Sequence, residues 1–288
     1  MCLLIGILAY FIFLLILQSL FYPMPVNDSA MLRYRTVPWG TLALIVINTL
    51  LFVLWIGPTL YTYNESGTLI VRDLEELDGY IDLVYRYGYR EDAMRNGTTI
   101  GAFTTFTSTF MHGHFWHLFG NMIYLWTFGR RVEDACGTWR FLLFYITAGM
   151  IAGLGAVLLN PGIEYRPSVG SSGAISGVMG AYLVLFYGRK VDVLWGLGLV
   201  IRFPYAVIRL LWNKEAKFWR WTVSLPAWTL LILFMISNAI PSLETFQGDS
   251  ELQRVNFLAH FAGFMSGLLI FLYARKDLVV RYARGRSL

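Results

Sequence analysis

Residues 170–180 read Gly170-Ser171-Ser172-Gly173-Ala174-Ile175-Ser176-Gly177-Val178-Met179-Gly180 and open an apolar segment that runs to residue 188. Gly173, Gly177 and Gly180 are spaced for tight helix contact, leaving a face bare enough for a second helix to lie against it. A matching stripe occurs far downstream, in Ala259-His260-Phe261-Ala262-Gly263 with Gly267 beyond it. Two apolar helices pressed together through small residues imply close backbone approach, which is how helices associate in lipid, where burying apolar side chains gives little drive.

Composition points the same way. The chain of 288 residues is 57% hydrophobic and 14% charged, whereas soluble domains carry about 25% charged residues; its mean hydropathy is +0.55. A span needs roughly 20 mostly apolar residues, and such stretches occur near 2–22, 39–57, 106–129, 141–159, 171–188, 225–240 and 257–274. The expectation is an all-α polytopic membrane protein with seven helices in one domain. Segment 191–212 is interrupted by Arg202, Pro204 and Arg209 and suits an in-plane or re-entrant element better than a span.

Basic loops stay cytoplasmic. That places Arg33 and Arg35, Arg130 and Arg131, Arg189 through Arg220, and Arg275 through Arg286 inside, with the C-terminus. The acidic loops 58–105 and 241–255 then face outside. The net charge of +5 reads as cytoplasmic anchoring, and no nucleic-acid partner is needed to explain it. Segment 2–22 lacks a basic start and a small-x-small site before Pro23, so it is expected to be a retained helix and not a secretory signal. Cys2 and Cys136 give no disulfide framework.

Among residues able to do chemistry, Ser172 comes first. Gly170 and Gly173 flank it, which lets the backbone bend, leaves room for a substrate carbonyl and frees an N–H to point at it. The competing reading is a simple packing face. His260 weighs against that, because an ionisable residue within an apolar helix is costly and is a functional hypothesis by default. Contact between the two stripes would bring imidazole and hydroxyl together, a nucleophile and a base where water is scarce. That combination suits hydrolysis of a peptide bond inside the membrane.

A third group is His112, His114, His117 and Asn121. His117 and Asn121 are four apart, hence on one helix face, and both can donate to a developing oxyanion. Metal binding is the alternative, but no carboxylate lies among these residues and the His-Glu-x-x-His pattern is absent, so no metal is expected. Asp and Glu fall in loops, which leaves a Ser–His dyad in place of a triad. The tryptophans read as lipid-facing or interfacial residues.

Together these motifs resemble those of the rhomboid intramembrane serine proteases, over about residues 34–276. Gly170-Ser171-Ser172-Gly173 resembles the Gly-x-Ser-Gly nucleophile motif, making Ser172 the nucleophile. Ala259-His260-Phe261-Ala262-Gly263 with Gly267 resembles the Ala-His-x-x-Gly-x-x-x-Gly motif, making His260 the base. His117 and Asn121 resemble the His-x-x-x-Asn pair that forms the oxyanion hole with the Ser172 N–H. His112 matches an upstream histidine that shapes the adjoining loop. Glu133 and Asp134 resemble a Val-Glu-Asp turn, read as structural.

The resemblance implies a six-helix bundle, residues 38–276, preceded by an additional transmembrane helix and linker, 1–37, and followed by a basic cytoplasmic tail, 277–288. It implies an endopeptidase without cofactor that cuts transmembrane segments of other membrane proteins after a small residue, opening to the outer side of the plasma (inner) membrane. The alternative is an inactive rhomboid-like protein that binds membrane clients, although such relatives usually lack the serine or histidine present here. Three departures stand out: a long loop at 58–115 without a clear Trp-Arg pair, a long insertion at 189–223, and the extra helix 2–22.

Overall fold

A computed structural model of the chain describes residues 24–28, 37–63, 69–72, 76–159, 167–195, 222–244, 251–274 and 276. The helix expected at 2–22 and the tail 277–288 lie outside the described residues. The described part is mostly helical. Ten helices carry it: α1 (Trp39–Leu60), α2 (Asp78–Tyr87), α3 (Glu91–Arg95), α4 (Thr99–Ser108), α5 (Phe115–Tyr124), α6 (Arg130–Cys136), α7 (Thr138–Leu159), α8 (Ser172–Phe186), α9 (Ala227–Glu244) and α10 (Glu251–Ala274). Among the described residues, three helical stretches are long and apolar enough to cross a membrane, Trp39–Leu60, Thr138–Leu159 and Phe257–Ala274. Ser172–Phe186 and Ala227–Ile236 are shorter apolar helices.

The chain divides into two compact units, one of residues 1–31 and 187–237, the other of residues 32–186 and 238–288. The first holds a three-stranded antiparallel sheet with Lys190–Leu194 between Met24–Asp28 and Val223–Pro226. Val191 and Val193 alternate with Lys190 and Asp192 and are fully buried, the period-two pattern of a half-buried strand. The Ser224 hydroxyl donates to the Asp192 carboxylate across the pair. Pro25 and Pro226 sit in the outer strands, where a missing N–H costs least. Strict all-α architecture is therefore corrected to a mostly helical one. The start of the doubtful segment 191–212 is strand, because β-branched residues alternate there; residues 196–212 lie outside the described part.

In the second unit, α7, α8 and α10 form the centre. Small residues bring their backbones together: a Cβ on Gly267 would lie 1.8 Å from the Gly177 carbonyl oxygen, and one on Gly263 2.2 Å from that of Gly173. Gly155 faces Ala262 and Gly177 faces Ala148 in the same manner. The outward faces are apolar, with Leu54 72% and Leu158 73% exposed, as suits lipid contact.

Helix α1 is tied to this core at its start. The Glu133 carboxylate accepts from Gly40 N–H and Thr41 N–H, both at 2.8 Å, from the Thr41 hydroxyl at 2.7 Å and from the Thr138 hydroxyl at 2.6 Å. An anion on otherwise unsatisfied N–H groups at a helix N-terminus is favourable twice over, through hydrogen bonds and through the helix dipole. The Val-Glu-Asp turn thus has a structural job. Near its other end α1 widens into a π-turn at Phe52–Ile56, just before Pro58, whose ring and missing N–H disturb the preceding turn.

The stretch 106–129 is not one helix. It breaks between Ser108 and Phe115, and helix resumes only at α5, continuing through a second π-turn at Leu125–Gly129 into α6. The break places His112 in a non-helical turn. The long loop before it is also structured, with a short hairpin, Tyr61–Tyr63 against Leu69–Val71, followed by α2, α3 and α4.

Candidate active site

Ser172 is the first residue of α8. The Ile175 N–H already donates to the Ser171 carbonyl at 3.0 Å. The N–H groups of Ser172 and Gly173 therefore belong to the opening turn, where a helix has no acceptor of its own to offer. Gly170 adopts φ +142°, a conformation L side chains rarely adopt. It is also cramped: a Cβ there would come 2.8 Å from His117 Cε1, 2.9 Å from His117 Nε2 and 3.5 Å from Ser172 Oγ. Glycine is required at this position by both its dihedral angle and its neighbours.

The two small-residue stripes bring Ser172 and His260 together. Their Oγ and Nε2 atoms are 2.6 Å apart. No other pair of sequence-predicted residues is separated so widely in the chain and lies so close in space. Ser176, one turn further along α8, donates its hydroxyl to the Ser172 carbonyl at 2.7 Å and so turns away from the imidazole.

His117 and Asn121 follow one another on α5, with the His117 ring edge against Gly170. Asn121 is buried and its Nδ2 has no hydrogen-bond partner. A buried amide N–H left without an acceptor is costly, and such groups ask for an explanation. His112 is fully buried; its Nε2 lies 3.2 Å from Ser171 Oγ, which links the turn before α5 to the residue before Ser172. Among the described residues no three His, Cys, Asp or Glu side chains converge to hold a metal ion.

Further contacts bring in residues not read from the sequence. Tyr89, a buried residue of the loop before α3, exchanges two backbone hydrogen bonds with Ser168, at 2.7 and 3.0 Å, and its hydroxyl donates to the Gly153 carbonyl at 2.8 Å. Burial pushes the Tyr89 phenol well above its ordinary value, with the Glu91 carboxylate adding to the effect and Arg95 opposing it. The Gly170 N–H in turn donates to the Ser108 carbonyl at 3.0 Å. The segment leading to Ser172 is therefore held from both neighbouring segments. Nothing in the sequence around Tyr89 signals this, because one tyrosine among many in a polar loop carries no pattern.

Beside these groups is a cavity of about 50 Å³ lined by Tyr89, Thr105, Ser108, Thr109, Ser172 and His260 among others. It has room for a few water molecules, at roughly 10–15 Å³ each, and hydroxyl groups to hold them.

A helical membrane protein with a serine at a helix start and an imidazole in contact with its hydroxyl defines a narrow class. The rhomboid domain profile matches residues 101–277, more than half of the chain, and the chain belongs to the rhomboid family. It is similar to Rhomboid protein 1, mitochondrial, of Saccharomyces cerevisiae, with 29% identity over 153 residues, 52% of this chain and 37% of that protein. It is also similar to Rhomboid protease GluP of Bacillus subtilis, with 41% identity over 76 residues, 26% of this chain and 14% of that protein. Putative rhomboid protease YdcA of Bacillus subtilis is 28% identical over 164 residues, 57% of this chain and 63% of that protein. The chain thus spans less than two thirds of the length of each of these relatives.

Proposed function

We propose that the chain is an intramembrane serine endopeptidase that cleaves transmembrane segments of other membrane proteins through a Ser172–His260 dyad. The observation that carries the reading is the 2.6 Å separation of Ser172 Oγ and His260 Nε2 between two apolar helices. With Nε2 unprotonated, His260 takes the hydroxyl proton as Oγ attacks the substrate carbonyl, forming the new C–O bond. The negative charge that develops on the carbonyl oxygen meets the Ser172 N–H, the His117 imidazole and the Asn121 amide. The tetrahedral centre collapses with loss of the amine, which takes its proton from His260. Water, deprotonated by the same imidazole, then releases the acyl group and restores the serine.

Gly170 and Gly173 keep the approach to Ser172 open, and Gly263 and Gly267 set the helix separation that fixes the dyad distance. His112 supports the turn before α5. A membrane client-binding protein without activity has less in its favour, because such a role needs neither the dyad contact nor the unpartnered Asn121 amide. Substrates with helix-destabilising residues near the cut suit the site, since a regular helix hides its carbonyls. The charge distribution favours opening to the outer side of the plasma (inner) membrane, with the C-terminus cytoplasmic.

The deciding experiment incubates the purified protein with a generic transmembrane substrate beside the Ser172→Ala variant. Cleavage by the first and not the second is expected; equal cleavage by both would sink the assignment. Orientation is checked separately in intact cells on a Cys2→Ser, Cys136→Ser background, where an impermeant reagent should label a cysteine introduced at Asn64 and not one introduced at Lys214.

A further inference from the structure

Helix α5 begins with an uncommon cap. N-cap positions favour Ser, Thr, Asp and Asn, whose oxygen accepts from the N2 or N3 amide. Here the N-cap is His114, in extended conformation at φ −166° and ψ 166°, and its Nδ1 accepts from the His117 N–H at 3.2 Å. The Leu118 N–H donates to the His114 carbonyl at 3.1 Å, and the Phe115 N–H to the Tyr61 hydroxyl at 3.2 Å. The residue latched by the imidazole is thus His117 itself, whose ring lies against Gly170 beside Ser172.

A serine or asparagine cap accepts at any pH, but an imidazole accepts only when neutral. Protonation makes Nδ1 a donor, so the bond to His117 N–H is lost. It also sets a positive charge at the positive end of the helix dipole. Both effects act in one direction.

We infer that His114 is a positioning residue that holds the oxyanion side of the site through the first turn of α5 and lets it go on acidification. The inference rests on the dyad reading above. The groups around His114 do not work against it. On its own segment these are His117, with ring centroids 5.8 Å apart, and His112, which lies 5.3 Å from His117. From the packed elements come Tyr61 and Tyr80, the latter with its hydroxyl 3.3 Å from where a Gly113 Cβ would stand. Burial raises the Tyr80 phenol further, so it stays neutral through the histidine range. Among the described residues, the ion pairs involve no carboxylate bonded to His114. His114 is exposed, so protons reach it directly, while desolvation by the surrounding protein lowers its imidazole from the ordinary value and places the release at the acid end of the histidine range.

The test compares wild type with His114→Asn, which keeps an acceptor at the cap but removes its titration, and with His114→Ala, which removes the acceptor. Turnover of a transmembrane substrate is followed from about pH 8 to about pH 5, the range in which histidine changes charge. The rest of the site is identical in all three proteins, so the ratio of variant to wild type isolates the cap. That ratio should be near one for His114→Asn at pH 8 and rise toward about fivefold at pH 5, the size of effect a lost cap produces. For His114→Ala it should be about one fifth at pH 8 and approach one in acid.

Hydrogen exchange of the 115–121 amides in the same proteins, compared at equal pH, reads the cap without relying on catalysis. Wild type should lose protection relative to His114→Asn as pH falls. Equal protection at every pH overturns the cap, and a flat turnover ratio overturns its link to the site. If wild type cleaves nothing, the dyad reading fails, while the exchange arm still decides whether His114 is a titrating cap.

Discussion

Ser172 and His260 stand on α8 and α10, which meet where glycine leaves almost nothing between their backbones, whereas His117 and Asn121 stand on α5, whose first turn is held by side-chain hydrogen bonds. The first arrangement is fixed by packing and admits little adjustment. The second depends on acceptors that can be lost one at a time. On the reading proposed above, Ser172 and His260 are set at a rigid distance and the His117–Asn121 side is open to modulation. The largest effects should therefore come from the α8–α10 side.

The strongest break is chemical. Ser172→Ala and His260→Ala should each reduce turnover to background, since loss of either partner in a soluble serine protease costs on the order of a million-fold. Expression and membrane insertion should be unaffected. Ser176→Ala is the matched control, because its hydroxyl bonds the Ser172 carbonyl and does not reach the imidazole; it should keep most activity. Turnover by Ser172→Ala at the wild-type rate would remove the dyad.

On the α5 side the expected loss is partial. Asn121→Ala removes one donor while the Ser172 N–H and His117 remain, and such a loss costs about 100- to 1,000-fold in turnover. Because the interaction forms in the transition state, apparent substrate affinity should change far less. Labelling of Ser172 by a fluorophosphonate should persist in Asn121→Ala and vanish in His260→Ala. Unchanged turnover would return Asn121 to a packing role and leave its buried Nδ2 unexplained.

The same asymmetry governs what the sequence makes legible. Glycines at Gly173, Gly177, Gly263 and Gly267 announce close helices, and a serine and a histidine placed within those stripes announce their own meeting, because residue type and helical period are enough. The α5 side was legible only in its residue types. His117 and Asn121 share a helix face as their spacing requires, but the break from Thr109 to His114 was hidden inside an apolar run that reads as one span. What breaks it is a set of hydrogen bonds to partners far away, Ser108 to Gly170 and His112 to Ser171, and such pairings leave no period. The strand at Lys190–Leu194 is not legible because the arginines and the internal proline downstream favour an in-plane or re-entrant element, while Val191 and Val193 alternate over too short a stretch to outweigh them.

Glycine substitutions sharpen the comparison in a single measurement. Gly267→Ala would set a Cβ 1.8 Å from the Gly177 carbonyl oxygen, so α8 and α10 must move apart, whereas nothing lies within 4 Å of the Cβ position at Gly120 on α5. Overpacking of this kind costs about 1–3 kcal/mol and more where backbone must shift. Thermal unfolding of the purified protein should show a clear loss for Gly267→Ala together with loss of turnover. Gly120→Ala should be neutral or slightly stabilising, by up to about 1 kcal/mol from helix propensity. Similar behaviour of the two variants would mean that the seam is not tighter than the α5 face.

The smallest effect is expected where the loop carrying Tyr89 meets both sides. Tyr89→Phe keeps the ring and the backbone pairing with Ser168 but removes the hydroxyl that donates to the Gly153 carbonyl at 2.8 Å. A hydrogen bond of this type contributes about 1 kcal/mol, which corresponds to roughly 2–4 °C in melting temperature for a chain of this size. Turnover should fall only a fewfold, since the segment before Ser172 retains its other ties. The pH dependence supplies the sharper check. The folded-state phenol is raised, chiefly by burial, so the unfolded chain releases this proton first. Its contribution is fully present below the ordinary tyrosine value near 10 and is lost as pH rises above it. The stability difference between wild type and Tyr89→Phe should therefore be constant at neutral pH and shrink on the alkaline side. A difference that grows above about pH 10, or is absent at neutral pH, would show that the hydroxyl does not anchor the loop through Gly153, and the restraint on the Ser172 approach would then rest on the Ser168 pairing alone.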